Sequence, residues 1–160
     1  MASRTSTPSE RGTAHSPNTA KPPRLFPTMR CLDADAMISW LVDVVGFTEH
    51  FIVREEPGGV VAHAQLAFGS SLLMLGQGRD DDYGNQVGDL KGRRTDSLYV
   101  AVKDVDALHD RIKASGAKIE KAVHDTDYGS REFHCRDPEG NLWSFGTYWP
   151  KVDEPPKPSL

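Results

Sequence analysis

Two short segments place histidine beside an amide or a carboxylate on one face of an expected strand. In VVAHAQLAF (60–68), Ala62, Ala64, Leu66 and Phe68 alternate with His63 and Gln65; in SREFHCR (130–136), Phe133 and Cys135 alternate with Glu132 and His134. Side chains on a strand point alternately to opposite faces, so each segment turns a polar pair away from its apolar side. Imidazole and amide groups both donate and accept hydrogen bonds. Three roles are open to these four residues. They can hydrogen-bond an organic ligand in a shared cleft, or they can satisfy one another and solvent at a sheet surface. They can also catalyse, through a metal held away from any standard position or through His63 paired with Glu132 as acid and base.

The elements that would carry them occur twice in the same order. Leu25–Cys31 reads as a strand. Asp33 then caps a helix to about Val45, with Ala36, Met37, Trp40, Leu41 and Val44 near helical spacing and Gly46 as its stop. Thr48–Glu55, Val60–Phe68 and Ser71–Leu75 follow as strands, with glycine-containing turns between them. The second pass runs from a strand at Ser97–Lys103 through a helix capped by Asp104 and ended by Gly116. Strands at Lys118–Val123, Ser130–Arg136 and Asn141–Tyr148 complete it. Two tandem βαβββ units (24–77 and 96–149) in an α+β fold are the expectation, each leaving an apolar sheet face that needs the other. A polar, glycine-rich segment, 78–95, links them as a surface loop or lid. Its acidic run Asp80-Asp81-Asp82 reads as solvated.

Composition narrows the function classes. The chain has 160 residues, 38% of them hydrophobic, which suits one domain rather than two. A net charge of -4 argues against a nucleic-acid partner. No apolar run reaches the roughly 18 residues of a membrane span, and the amino-terminal residues lack the apolar stretch of a secretory signal, so a cytoplasmic location is expected. Residues 1–23 and 150–160, rich in Ser, Thr and Pro or in Pro alone, are expected to be disordered tails. Cys31 and Cys135 sit in apolar stretches and read as small core residues. His50, His109 and His124 read as surface histidines.

The duplication, the segment SLYVAVKDVDALHDRIKASGAKI and the ending YGSREFHCRDPEGNLWSFGTY resemble the vicinal-oxygen-chelate superfamily of glyoxalases, bleomycin-resistance proteins and dioxygenases. The branch most similar is the bleomycin-resistance-like one. The resemblance implies two curled half-barrels around a cleft and assembly as a homodimer. It also implies four inward metal positions, one on the first and one on the last strand of each unit. Placed by motif, these fall on Phe26, Met74, Ser97 and Ser144, none of which suits a hard divalent ion. A slip of one residue either way supplies a single carboxylate, Asp96.

The expectation is therefore a protein with no cofactor and no metal that holds a small organic molecule. Its cleft is expected to be lined by Phe26, His63, Gln65, Met74, Ser97, Tyr99, Glu132, His134, Ser144 and Tyr148. Aromatic rings at Phe26, Tyr99 and Tyr148 would suit a flat or cationic ligand. Trp40 and Trp143 read as packing residues, and Trp149 as a cover for the cleft mouth or a subunit boundary. Two alternatives remain open: an enzyme of the same superfamily with a relocated or absent metal site, and a non-catalytic interaction module.

Overall fold

The computed structural model describes residues 23–92 and 94–153. The tail expectations lie largely outside these residues. The order of elements is β1 (Thr28–Cys31), α1 (Ala34–Ser39) running into a π-helical segment (Trp40–Val45), β2 (Thr48–Arg54), β3 (Val61–Phe68) and β4 (Ser71–Gln77). Then come α2 (Asp82–Val87), β5 (Leu98–Ala101), α3 (Val105–Ala114), β6 (Ile119–Asp125), β7 (Arg131–Arg136) and β8 (Leu142–Gly146). The strands form two four-stranded mixed sheets, ordered β1-β4-β3-β2 and β5-β8-β7-β6. In each, the first strand lies parallel to the last and the other neighbours are antiparallel. This is the α+β fold expected from the duplicated pattern.

Local chemistry sets the helix ends. Asp33 accepts the backbone N–H of Ala36 at 2.9 Å, and Asp104 accepts that of Ala107 at 3.0 Å, each meeting one of the free donors at a helix start. The π-helical segment stops at Gly46, whose φ of 103° belongs to the left-handed region that glycine tolerates best. There the Leu41 carbonyl accepts from both Gly46 and Phe47, each at 2.9 Å.

The helices bury their apolar faces against one side of the sheets. Met37 and Leu41 from the first helical segment and Val105, Leu108 and Ile112 from α3 are buried with Leu73, Leu75, Trp143 and Phe145 of β4 and β8. The core is continuous between the units: Trp143 on β8 meets Trp40 edge-on at 5.9 Å and Phe47 at 6.2 Å.

Polar contacts reinforce that junction. The Arg111 guanidinium on α3 donates to the carbonyls of Val44 and Val45, which end the first unit's helix. Glu139, in the turn between β7 and β8, accepts the backbone N–H groups of Leu32 and Asp33 at 2.6 and 3.1 Å. The DPEGN turn thus reaches from the second unit to the start of α1. Asp137 shapes the turn from inside, accepting from the backbone of Glu139 and Asn141, the Asn141 amide and the Trp143 indole.

Some boundaries differ from the sequence reading. β1 begins at Thr28 rather than Leu25, because Pro27 has no N–H for a ladder; only its carbonyl pairs, with Met74 N–H at 3.0 Å. A register shift between Val53 and Arg54 leaves Ala62 without a β2 partner. Val61 is fully buried and Ala62 only half-buried, so the apolar alternation breaks at that end of β3. The linker contains α2, which buries no residue and so leaves no apolar periodicity to read. No helix among the described residues is long and apolar enough to cross a membrane.

Candidate functional site on the concave sheet faces

The helix-free face of the second sheet gathers polar side chains from four strands. Cross-strand pairing sets Tyr99 opposite Ser144, Ser144 opposite His134, and Glu132 opposite both Gly146 and His124. Their neighbours Phe133, Cys135, Trp143 and Phe145 point into the core. Gly146 makes room on this face: a Cβ there would lie 2.6 Å from Glu132 Cγ and 2.7 Å from the Tyr99 hydroxyl. The Tyr99 hydroxyl crosses the glycine to donate to the Tyr148 carbonyl at 2.7 Å.

The carboxylate and imidazole here are held in place. Tyr128 donates its hydroxyl to Glu132 at 2.7 Å, and Glu132 is 6% exposed. That bond, with burial, pushes the Tyr128 phenol up to about 12. His134 Nδ1 lies 2.8 Å from the Ser144 hydroxyl. Burial, helped by the neighbouring His124, lowers the His134 pKa and favours its neutral form. His124, expected at the surface, is half-buried and stacks on His134 with ring centroids 6.0 Å apart. His109 is also half-buried, edge-on to Phe133 at 5.2 Å on α3, and takes no part in this face.

On the first sheet, Thr28, Met74 and Gln65 line up across β1, β4 and β3. The Gln65 amide nitrogen lies 3.4 Å from His63 Nε2 and 3.9 Å from the Met74 sulfur. A cavity of about 360 Å³ opens here, lined by Thr28, Arg30, His63, Met74 and, from the linker, Arg79 and Tyr83. Tyr83 exchanges a hydrogen bond with Thr28 at 3.0 Å and lies under the Arg30 guanidinium, 5.0 Å from the ring centroid. Arg30 and Arg79 both pair with Asp81, so that member of the acidic run is used internally.

Of the ten residues expected to line one cleft, eight fall into two groups and two, Phe26 and Ser97, into neither. His63, Gln65 and Met74 belong to the first face; Tyr99, Glu132, His134 and Ser144 belong to the second, with Tyr148 just beyond β8. None of the second group lines the first-face cavity. Phe26 and Ser97 precede their strands and are exposed, while Thr28 and Tyr99, two residues on, pair with Met74 and Ser144.

Arg30, Tyr83, His124 and Tyr128 were not read as site residues. The alternation of Met29 and Cys31 into the core would have found Arg30. Nothing in a polar linker marks Tyr83, and the bulges in β6 hide the facing of His124.

The expected metal positions are Phe26, Met74, Ser97 and Ser144, and the ladder shows which side chains lie across from the last-strand pair. The register sets Thr28 beside Met74 and Tyr99 beside Ser144, so these strand pairs offer two hydroxyls, a thioether and a phenol. Each is already engaged, with Tyr83, Gln65, the Tyr148 carbonyl and His134 respectively. This donor set does not fit a hard divalent ion.

Comparison with known proteins agrees with the geometry. The model of the Glyoxalase/Bleomycin resistance protein/Dioxygenase superfamily matches residues 26–145. TioX from Micromonospora sp. ML1 is 30% identical with a TM-score of 0.64, over 79% of this chain and 99% of that one. The fosfomycin resistance protein FosX from Listeria monocytogenes shares the fold at 15% identity and a TM-score of 0.58, over 78% and 91% of the two chains. An uncharacterized protein of Mycobacterium tuberculosis, Rv0887c, is 29% identical over 130 residues, covering 78% of this chain and 74% of its own. The chain belongs to the Glyoxalase/Bleomycin resistance protein/Dioxygenase superfamily.

Proposed function

We propose that this protein binds an organic small molecule between its concave sheet faces, without a metal at the fold's usual positions, in the manner of the bleomycin-resistance-like branch. The observation that supports the reading is the donor set across the β1–β4 and β5–β8 pairs, Thr28, Met74, Tyr99 and Ser144, each hydrogen-bonded within the protein. What the faces offer instead is aromatic and hydrogen-bonding surface: Tyr99, Tyr148, His63, Gln65 and His134. Such a lining suits a planar or amphipathic ligand. Holding it needs affinity and no chemical step.

Each face alone is half a cleft. We propose a homodimer in which the first-sheet face of one copy closes over the second-sheet face of the other. The cavity beside His63 has neither Glu132 nor His134 in its lining, which supports this arrangement. Cytoplasmic residence accords with the two buried, unpaired cysteines.

Calorimetric titration of the full chain in EDTA, with a bleomycin-type glycopeptide and a set of planar aromatic drugs, tests the reading. Saturable binding that is unchanged by the chelator is expected. Binding that disappears on chelation and returns with a divalent ion would overturn it. Sedimentation analysis should give twice the chain mass.

A further inference from the structure

We infer that His124, Glu132 and His134 form a binding site for a divalent first-row transition ion such as Zn²⁺, away from the fold's four usual positions. The inference goes beyond the small-molecule reading and does not rest on it. One ligand atom from each of the three residues lies within 4.8 Å of the other two. Metal bonds of ~2.0–2.2 Å set neighbouring donors about 3–4 Å apart, so small side-chain rotations close the site.

The backbone builds this arrangement. Glu132 and His134 are two residues apart on β7 and share a face. Register shifts in β6 bring His124 directly opposite Glu132. Both imidazoles are oriented from behind. His124 Nδ1 lies 2.9 Å from the Ala122 carbonyl, which can only accept, so Nδ1 carries the proton and Nε2 keeps its lone pair. His134 Nδ1 is held by Ser144, which leaves its Nε2 for an ion. Partners of this kind fix ring orientation in metal sites.

Glu132 gives the independent observation. It is a buried carboxylate whose hydrogen bond comes from a neutral phenol, and it forms no salt bridge among the described residues. Lys121, the cross-strand neighbour of His134, is exposed. A buried anion is costly without a countercharge, and a dication would supply one. Two imidazoles with one carboxylate suit Zn²⁺, Co²⁺, Ni²⁺ or Fe²⁺ better than Ca²⁺ or Mg²⁺, and leave the remaining coordination positions to water.

The test uses the untagged full chain, stripped with EDTA, exchanged into chelator-free buffer and titrated without organic ligand. Zn²⁺ is followed by calorimetry and Co²⁺ by visible absorption. One ion per chain is expected, with a Co²⁺ spectrum free of thiolate charge-transfer bands. His124→Ala, at a half-exposed position, and Glu132→Gln, which keeps the side-chain shape, should each weaken binding at least ~100-fold, beyond the usual cost of losing an outer-shell partner. His50→Ala and His15→Ala should change nothing, and circular dichroism should show each variant folded. Absence of stoichiometric binding, equal affinity in His124→Ala, or loss in either control would overturn the site. Because no organic ligand is present, failure here leaves the cleft reading standing, and failure of the drug titration leaves this site standing.

Discussion

Replacing Asp137 by Asn tests whether one buried carboxylate organises the turn that joins the two units. Asp137 is 5% exposed. Its Oδ1 accepts the backbone N–H groups of Glu139 and Asn141, each at 2.9 Å, and its Oδ2 accepts Asn141 Nδ2 and Trp143 Nε1, each at 2.9 Å. An asparagine keeps the shape but turns one oxygen into a donor. Kept at Oδ1, the remaining oxygen still serves the turn, and the new NH₂ then faces the Trp143 and Asn141 donors. Stranding a buried donor costs about 1–3 kcal/mol, and loss of charge from the remaining bonds adds to it. The sum is about 3 kcal/mol for Asp137→Asn and about 4 kcal/mol for Asp137→Ala. For a chain of this size that corresponds to a fall of roughly 10 °C in Tm for the Asn variant. Because Glu139 reaches the start of α1 from the same turn, Glu139→Gln should weaken the same junction less, since it keeps one oxygen acceptor. Differential scanning calorimetry reads both. A fall under 2 °C for Asp137→Asn would refute the reasoning, because the buried donors would then have found other partners.

Three further outcomes follow from the same packing. Burial pushes the Cys31 and Cys135 thiols up to about 12, so at pH 8 both should react with an aromatic disulfide reagent only after denaturation; fast labelling of the native protein would contradict this. Arg111→Met should lower stability by about 1–2 kcal/mol in urea unfolding, since the carbonyls of Val44 and Val45 lose their donor; an unchanged midpoint would show that water replaces it. Lys118 and Arg136 hold Glu120 down at about 2, well below the ordinary carboxylate value of 4.5. A depressed folded pKa contributes stability above the unfolded value and loses it as pH falls through the folded one. The Tm gap between wild type and Glu120→Gln should therefore be open at pH 7 and shrink between pH 4.5 and 2; a gap constant with pH would refute the pairing.

The fold was legible because its signals were local and repeated. Asp33 and Asp104 mark two helix starts, glycines mark the stops, and strict alternation around His134 and Ser144 fixes which side is core. What stayed hidden depends on register. Proline at position 27 moves the start of β1 past Phe26, and Thr28 is the residue that pairs with Met74. Bulges in β6 turn His124 towards Glu132, and no composition or period shows a bulge. α2 carries no buried residue, so Tyr83 and its contact with Arg30 come from tertiary placement alone. Register within each sheet says nothing about how the two sheet faces meet, so strand periodicity could not show how the cleft closes.

The shared cleft can be tested by mixing variants. Take His63→Ala, which alters the first-sheet face, and Tyr99→Ala, which alters the second, each reduced in binding of whichever drug the wild type takes in EDTA. If the cleft forms between copies, a heterodimer of the two has one cleft with both faces intact and one with both altered. Titration of the mixture after subunit exchange should then recover wild-type affinity at a fraction of the sites, up to one per heterodimer. If each cleft lies within one chain, every cleft in the mixture carries one altered face. No wild-type affinity would return, and the account of a cleft shared between copies would be contradicted.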